Sequence, residues 1–231
     1  MSTESPPAGR DPETAAKAQI LATEHWSLLA TRALTYNESL SRVTIFLTIL
    51  SGAVIALALV AQADHFGMTF VTIAIPVLLV VLFAGIATIS RLSALNRDDY
   101  RWVIGMNRLR QGYLELHPDL EPYFVTSPYD DLPGALQTLG VEAPRGNRGL
   151  GSMLHLLQTL PGLLTVIVAA VGAAAGGLIA LAVGIPRTGT MLTAAGVFVA
   201  VIALMLIWSR RSFGGRSPTL EPRFPSPSRS G

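Results

Sequence analysis

The stretch VTIFLTILSGAVIALALVAQ (residues 43–62) decides the fold, because it contains no Asp, Glu, Lys or Arg. A bilayer core of about 30 Å is crossed by about 20 apolar residues in a helix, which satisfies the backbone internally where lipid offers it no partner. After the short loop 63–67, MTFVTIAIPVLLVVLFAGIATIS (68–90) repeats the pattern, and so do Leu160–Gly184 and Thr190–Ser209. The expected fold is an all-α membrane protein with four transmembrane helices arranged as two hairpins.

The rest of the chain sets orientation. Charged residues make up 14% of the 231 residues, against about 25% in soluble domains, so the apolar share goes to lipid-facing helices. Lys and Arg beside membrane helices stay on the cytoplasmic side. Lys17, Arg32 and Arg42 precede the first span, Arg91, Arg97, Arg101, Arg108 and Arg110 follow the second, Arg145 and Arg148 precede the third, and Arg210, Arg211 and Arg216 follow the fourth. The loop 63–67 has no Lys or Arg, and the turn between the last two spans has only Arg187. Both termini and the central segment are therefore expected in the cytoplasm of a bacterial plasma-membrane protein. A net charge of +2 is too small to suggest nucleic acid.

Outside the spans the pattern stays helical. Ala22, Trp26, Leu29, Ala33, Tyr36 and Leu40 recur at steps of four and three, and so do Leu92, Leu95, Asp99, Trp102, Met106, Leu109, Tyr113 and Leu116. Such stripes predict two coiled-coil-like arms, making residues 13–116 one long helical hairpin with a cytoplasmic two-helix stalk. Antiparallel register brings Arg32 to Asp98 and Asp99, Glu24 to Arg108, and Glu38 to Arg91. Trp26 and Trp102 join Arg32, Asp98 and Asp99 as the residues expected to set stalk register. Pro118 should end the second arm.

Residues 117–159 carry Pro118, Pro122, Pro128, Pro133 and Pro144 and read as a cytoplasmic segment that packs on the stalk. Leu132–Leu139 reads as a short helix, Glu142–Gly151 as a linker, and Met153–Leu160 as an apolar approach to the span hairpin 160–209. The termini, 1–12 and 210–231, read as disordered Pro- and Ser-bearing tails.

Candidate chemistry is sparse. Ala169, Gly172, Ala173, Gly176 and Gly177 form a small-residue face in the third span, which suits close helix packing within the chain or an oligomer interface. Pro76 reads as a tolerated membrane proline. Transporters that couple to protons or ions place ionisable groups inside the membrane, and these spans have none. The span threonines are expected to bond to their own backbone. Asp130-Asp131 reads as a turn or helix cap, with weak cation binding as the alternative. The absence of Cys excludes thiolate metal sites and Cys nucleophiles. His25, His65, His117 and His155 lack metal-ligand spacing, and no phosphate-binding or hydrolase motif occurs. No catalytic, cofactor or metal residue is assigned, and the chain reads as non-enzymatic.

ATEHWSLLATRALTYNESLSR (22–42) and RDDYRWVIGMNRLRQGYLELHPDLEPYFVTSPYDD (97–131) resemble an uncharacterised, actinobacterial-type family of small multi-pass membrane proteins. The layout of membrane helices with cytoplasmic extensions is similar to SLATT domains, from which this chain departs by its second hairpin. That similarity implies an oligomeric channel or membrane-perturbing effector. The residues favour an interaction or scaffold module whose partners are the bilayer and either a second copy or a cytoplasmic protein.

Overall fold

The structure, a computed structural model, describes residues 12–140, 159–213 and 221–227. Its regular elements are helices: α1 (Pro12–Asp64), α2 (Met68–Leu116), a 3-10 turn (Pro118–Tyr123), α3 (Leu132–Thr138), α4 (Leu160–Ala182) and α5 (Arg187–Phe213). Helices α1, α2, α4 and α5 are long and apolar enough to cross a membrane, as a multi-pass membrane protein requires. The tail 1–11, the Glu142–Gly151 linker and the apolar approach from Met153 lie outside the described residues.

The chain divides into two compact units. The span unit takes residues 36–97 and 146–216; the arm unit takes 1–35, 98–145 and 217–231.

The core of the span unit is apolar. Phe46 of α1 joins Val81, Ile89, Leu92 and Leu95 of α2, and Leu164, Val168 and Val171 of α4, in one cluster. Gly85 makes this approach possible, since a Cβ there would stand 2.4 Å from Val168. Helices α4 and α5 pack on each other. Their connection is a Schellman turn: Gly184 has φ +82° and the Ile185 amide donates to the Ala180 carbonyl at 3.0 Å. Between α1 and α2 the chain turns through His65 and Phe66, both at positive φ. Asp64 steadies that turn by accepting from the Phe70 amide at 2.7 Å.

Threonines in the spans bond within their own helices. Thr44, Thr48, Thr72 and Thr88 each donate to the carbonyl four residues earlier, at 2.8–3.0 Å. Their hydroxyl protons are thus satisfied by the backbone of their own helix. Glu38 accepts from Arg91 at 2.9 and 3.0 Å and from Arg42 at 2.8 Å. Hydrogen bonds from Arg91 and then Arg42 hold its carboxyl at about 2.

In the arm unit, residues 12–35 of α1 meet residues 98–116 of α2. Leu28 lies against Gly105 and Leu21 against Gly112, Arg32 pairs with Asp99, and Lys17 with Glu115. Partners rise along one helix as they fall along the other. The expected α2 stripe is inward, but the α1 stripe is displaced by one residue. Leu21, His25, Leu28, Arg32 and Thr35 are half-buried, as are Ala22 and Thr31, whereas Trp26 is 71% and Leu29 41% exposed. One residue is about 100° of helix rotation, enough to turn the more apolar set outward. Trp26, expected among the stalk residues, thus stands on the exposed side of α1.

Candidate functional site

The arm unit owes its specific shape to polar groups buried beside a thin apolar core of Val103, Ile104 and Ala135. Asn107, wholly buried on α2, donates through Nδ2 to the Tyr129 carbonyl at 2.7 Å. Its Oδ1 accepts from Arg110 at 2.7 Å and from the Thr138 hydroxyl at 2.9 Å. One side chain thus ties α2 to the 127–131 turn and to α3. Ser127 supports the turn by accepting from the Tyr129 amide at 3.1 Å. Gly134 closes it: a Cβ there would fall 2.2 Å from the Tyr129 carbonyl oxygen, so the approach excludes any side chain.

This scaffold presents Asp130 and Asp131. Asp131 caps α3, its Oδ1 accepting from the Gly134 amide at 2.9 Å, as its place before Leu-Pro led us to expect. Arg108, one position along α2 from the clamp, reaches Asp130 Oδ2 through Nε at 2.6 Å. It was expected to meet Glu24. Glu24 instead sits on the exposed side of α1, and Arg108 points to the turn.

Against these two carboxylates lies a seven-residue segment, Glu221–Pro227, from the stretch read as a C-terminal tail. The Arg223 and Phe224 amides donate to Asp130 at 2.9 and 2.8 Å. The Asp130 amide returns a bond to the Phe224 carbonyl at 3.1 Å. The Ser226 amide donates to Asp131 Oδ2 at 2.9 Å, and its hydroxyl bonds the same oxygen. Arg108 completes the frame with a 2.9 Å bond to the Glu221 carbonyl. Proline occupies positions 222, 225 and 227 and has no N–H. Every amide N–H between Pro222 and Pro227 is therefore received by Asp130 or Asp131. The recognition is of main chain, with proline placed where a donor would find no acceptor.

The electrostatics follow. Burial alone would raise the Asp130 carboxyl, but the Arg223 amide, Arg108 and the Phe224 amide outweigh it and hold the group below its usual range. Asp131 is lowered similarly, burial being outweighed by the Ser226 hydroxyl and the Gly134 and Ser226 amides. Behind the clamp, burial first and the charge of Arg32 second lower the Arg110 guanidinium. Burial and then Arg110 lower His25, which stacks on Tyr113 at 6.0 Å.

The remaining sequence candidates separate. Arg32 and Asp99 meet in a two-point contact at 2.6 and 3.3 Å. Asp98 pairs instead with Arg101 at 3.3 Å. Trp102 is half-buried, with an indole nitrogen that has no partner among the described residues. In the span unit Gly176 and Gly177 face α5, where added Cβ atoms would stand 2.9 Å from Val197 and 3.5 Å from Ala194. A Cβ on Gly172 would stand 3.4 Å from Val201 and 3.5 Å from Leu82. Ala169 is fully buried and Ala173 half-buried. Beside Pro76 an apolar groove of about 300 Å³ is lined by Ile49, Ala53, Val77, Val80 and Val81. Asn107, Arg108 and Ser226 were missed in the sequence because each sits inside a pattern that already had an ordinary reading, as helix surface or tail. Comparison with family profiles, curated proteins and solved structures returned no match.

Proposed function

We propose that this chain is a non-enzymatic membrane protein of the bacterial plasma membrane whose arm unit works as an interaction module. In this reading α1 and α2 form a hairpin whose cytoplasmic stalk is the arm unit, α4 and α5 form a second hairpin, and both termini are cytoplasmic, as the arginine distribution favours. The observation that carries it is the displaced stripe on α1. Trp26 and Leu29, at heptad-like spacing with Ala22 and Ala33, are left exposed by the chain's own packing. Exposed apolar side chains aligned on one helix face suit an interaction surface, and heptad spacing suits another helix, that of a second copy above all.

The SLATT-type channel or effector is the competing reading. The uncharged spans, with threonines bonded to their own backbone, give it little support. Native mass spectrometry of the full chain in lipid nanodiscs separates the two. A dimer that Trp26→Glu and Leu29→Glu convert to monomer is expected. A closed ring of several copies would transfer the proposal to the channel, and an invariant monomer would sink self-association. Single cysteines introduced at positions 26 and 65 of this Cys-free chain should label from opposite sides of the membrane.

A further inference from the structure

The Glu221–Pro227 segment is bound in the way a peptide-recognition domain binds a ligand. It is a short run that bends at Arg223 and Phe224 and carries proline at 222, 225 and 227. Its three amide donors and two of its carbonyls are matched by two aspartates and an arginine. Proline stiffens such a run before it binds, so little conformational entropy is lost on docking. Segment and site belong to one chain, so docking is intramolecular and proceeds at an effective concentration rather than a bulk one. Weak intrinsic affinity is then enough to keep the site filled, and a modest change in affinity is enough to empty it.

Ser226 is where such a change acts most directly. Its amide and hydroxyl both donate to one oxygen of Asp131, while its neighbours Pro225 and Pro227 are exposed. The cation of the site, Arg108, is already committed to Asp130 and to the Glu221 carbonyl. We propose that the Asp130–Asp131 turn is a recognition site for a short, proline-flanked peptide, that the chain's own Glu221–Pro227 is its resident ligand, and that phosphorylation of Ser226 releases it. The donor is a nucleoside triphosphate acted on by a kinase. An oxygen–phosphorus bond forms at Ser226 Oγ as the bond to the nucleoside diphosphate leaving group breaks, and the hydroxyl proton passes to solvent. A phosphate ester carries about −1.5 to −2 charge at neutral pH and cannot make the lost donation. It would stand beside two carboxylates, so the segment leaves and the turn is open. Because the hydroxyl is free only when the segment has undocked, modification traps the released state.

The inference rests on reading the arm unit as an interaction module, and not on copy number. Its test uses the chain truncated after residue 220, in nanodiscs, with a fluorescent peptide of residues 219–231 as probe. Saturable binding of the unmodified peptide and of a Ser226→Thr peptide is expected, with the Ser226-phosphorylated peptide weaker by roughly ten-fold or more. Asp131→Asn in the protein should weaken the unmodified peptide and narrow that gap. Equal affinity of the phosphorylated and unmodified peptides would overturn the release point, and absence of binding by either would overturn the site. Should truncation unfold the arm unit, a nitroxide at Ser228→Cys in the full chain replaces it. The label should be restrained in the otherwise native protein and freed by Ser226→Glu, and unchanged mobility would overturn the proposal. A ring in the mass measurement would sink the adaptor reading and leave this latch standing.

Discussion

The span unit and the arm unit bury opposite chemistry. In the first, Phe46, Val81, Leu92, Leu164 and Val168 form one apolar cluster, the polar side chains buried among its described residues are the small hydroxyls of Ser39, Ser93 and Thr165, and Thr44, Thr88 and Thr165 bond to backbone of their own helix. In the second, Asn107, Ser127 and Asp130 are wholly or almost wholly buried and Arg110 nearly so, with few large apolar groups around them. Apolar cores tolerate rearrangement as long as volume is conserved, whereas a buried polar group is satisfied in only one arrangement. The span unit's packing can therefore be rearranged at constant volume, whereas the arm unit's buried polar groups fix one arrangement.

Acid should separate the two most sharply. Asp130 and Asp131 are held below the ordinary carboxylate range, so what they contribute to docking is complete above about pH 4. It is lost as pH falls through their lowered values, when protonated carboxyls no longer hold the Arg223, Phe224 and Ser226 amides. Arg108 donates to Asp130, and Tyr100, whose hydroxyl is pushed up by burial and by Asp131, stays neutral in that window. A nitroxide at Ser228→Cys should be freed in acid, while labels on α4 and α5 keep their mobility. Release already at neutral pH, or coincident changes in both units, would break the distinction.

A matched pair of substitutions sharpens it further. Asn107→Leu keeps volume but strands Arg110, Thr138 and the Tyr129 carbonyl, all of which bond Asn107. Several buried groups lost at once, one of them charged, cost about 4 kcal/mol. Hydrogen exchange should rise across residues 127–139 and little elsewhere. Phe46→Ala empties the centre of the span core. The packing loss is about 3 kcal/mol or less, because the transfer term that adds to it in water is weaker in lipid. Its effect should be spread over α1, α2 and α4 in thermal unfolding of the reconstituted protein. An Asn107→Leu variant with unaltered exchange would mean that the clamp is dispensable.

The same contrast explains what was legible. Membrane helices announce themselves because lipid demands an unbroken apolar run, as in 43–62 and 68–90. Pro118 ended α2 and Asp131 capped α3 through local chemistry that any sequence shows. The α1 stripe misled because periodicity was scored on apolar residues. The face that packs uses His25, Arg32 and Thr35, and Trp26 and Leu29 supply the stronger apolar signal one residue out of phase. The docked segment was invisible for a different reason. Its partners receive main-chain N–H groups, which composition does not encode, and Pro-Ser content argues only that no core forms. The small-residue face of α4 was visible, and so was the α5 packing at Gly176 that intrachain contact requires.

The smallest effect concerns the one cross-helix ion pair of the arm unit that register arithmetic located. Arg32 and Asp99 meet in two-point geometry, each about 30% exposed. Solvent screens a pair so placed, and even good geometry leaves a coupling of about 1 kcal/mol or less. Arg32→Ala, Asp99→Ala and the double variant, followed by thermal unfolding in nanodiscs, measure it directly as a cycle. Arg32 also disfavours the charged form of Arg110, so Arg32→Ala alone should cost less than Asp99→Ala alone, which leaves two guanidinium groups without the carboxylate. Equal single costs would mean that Arg110 is insulated from the pair and that the Asn107 clamp, rather than charge balance, keeps it buried.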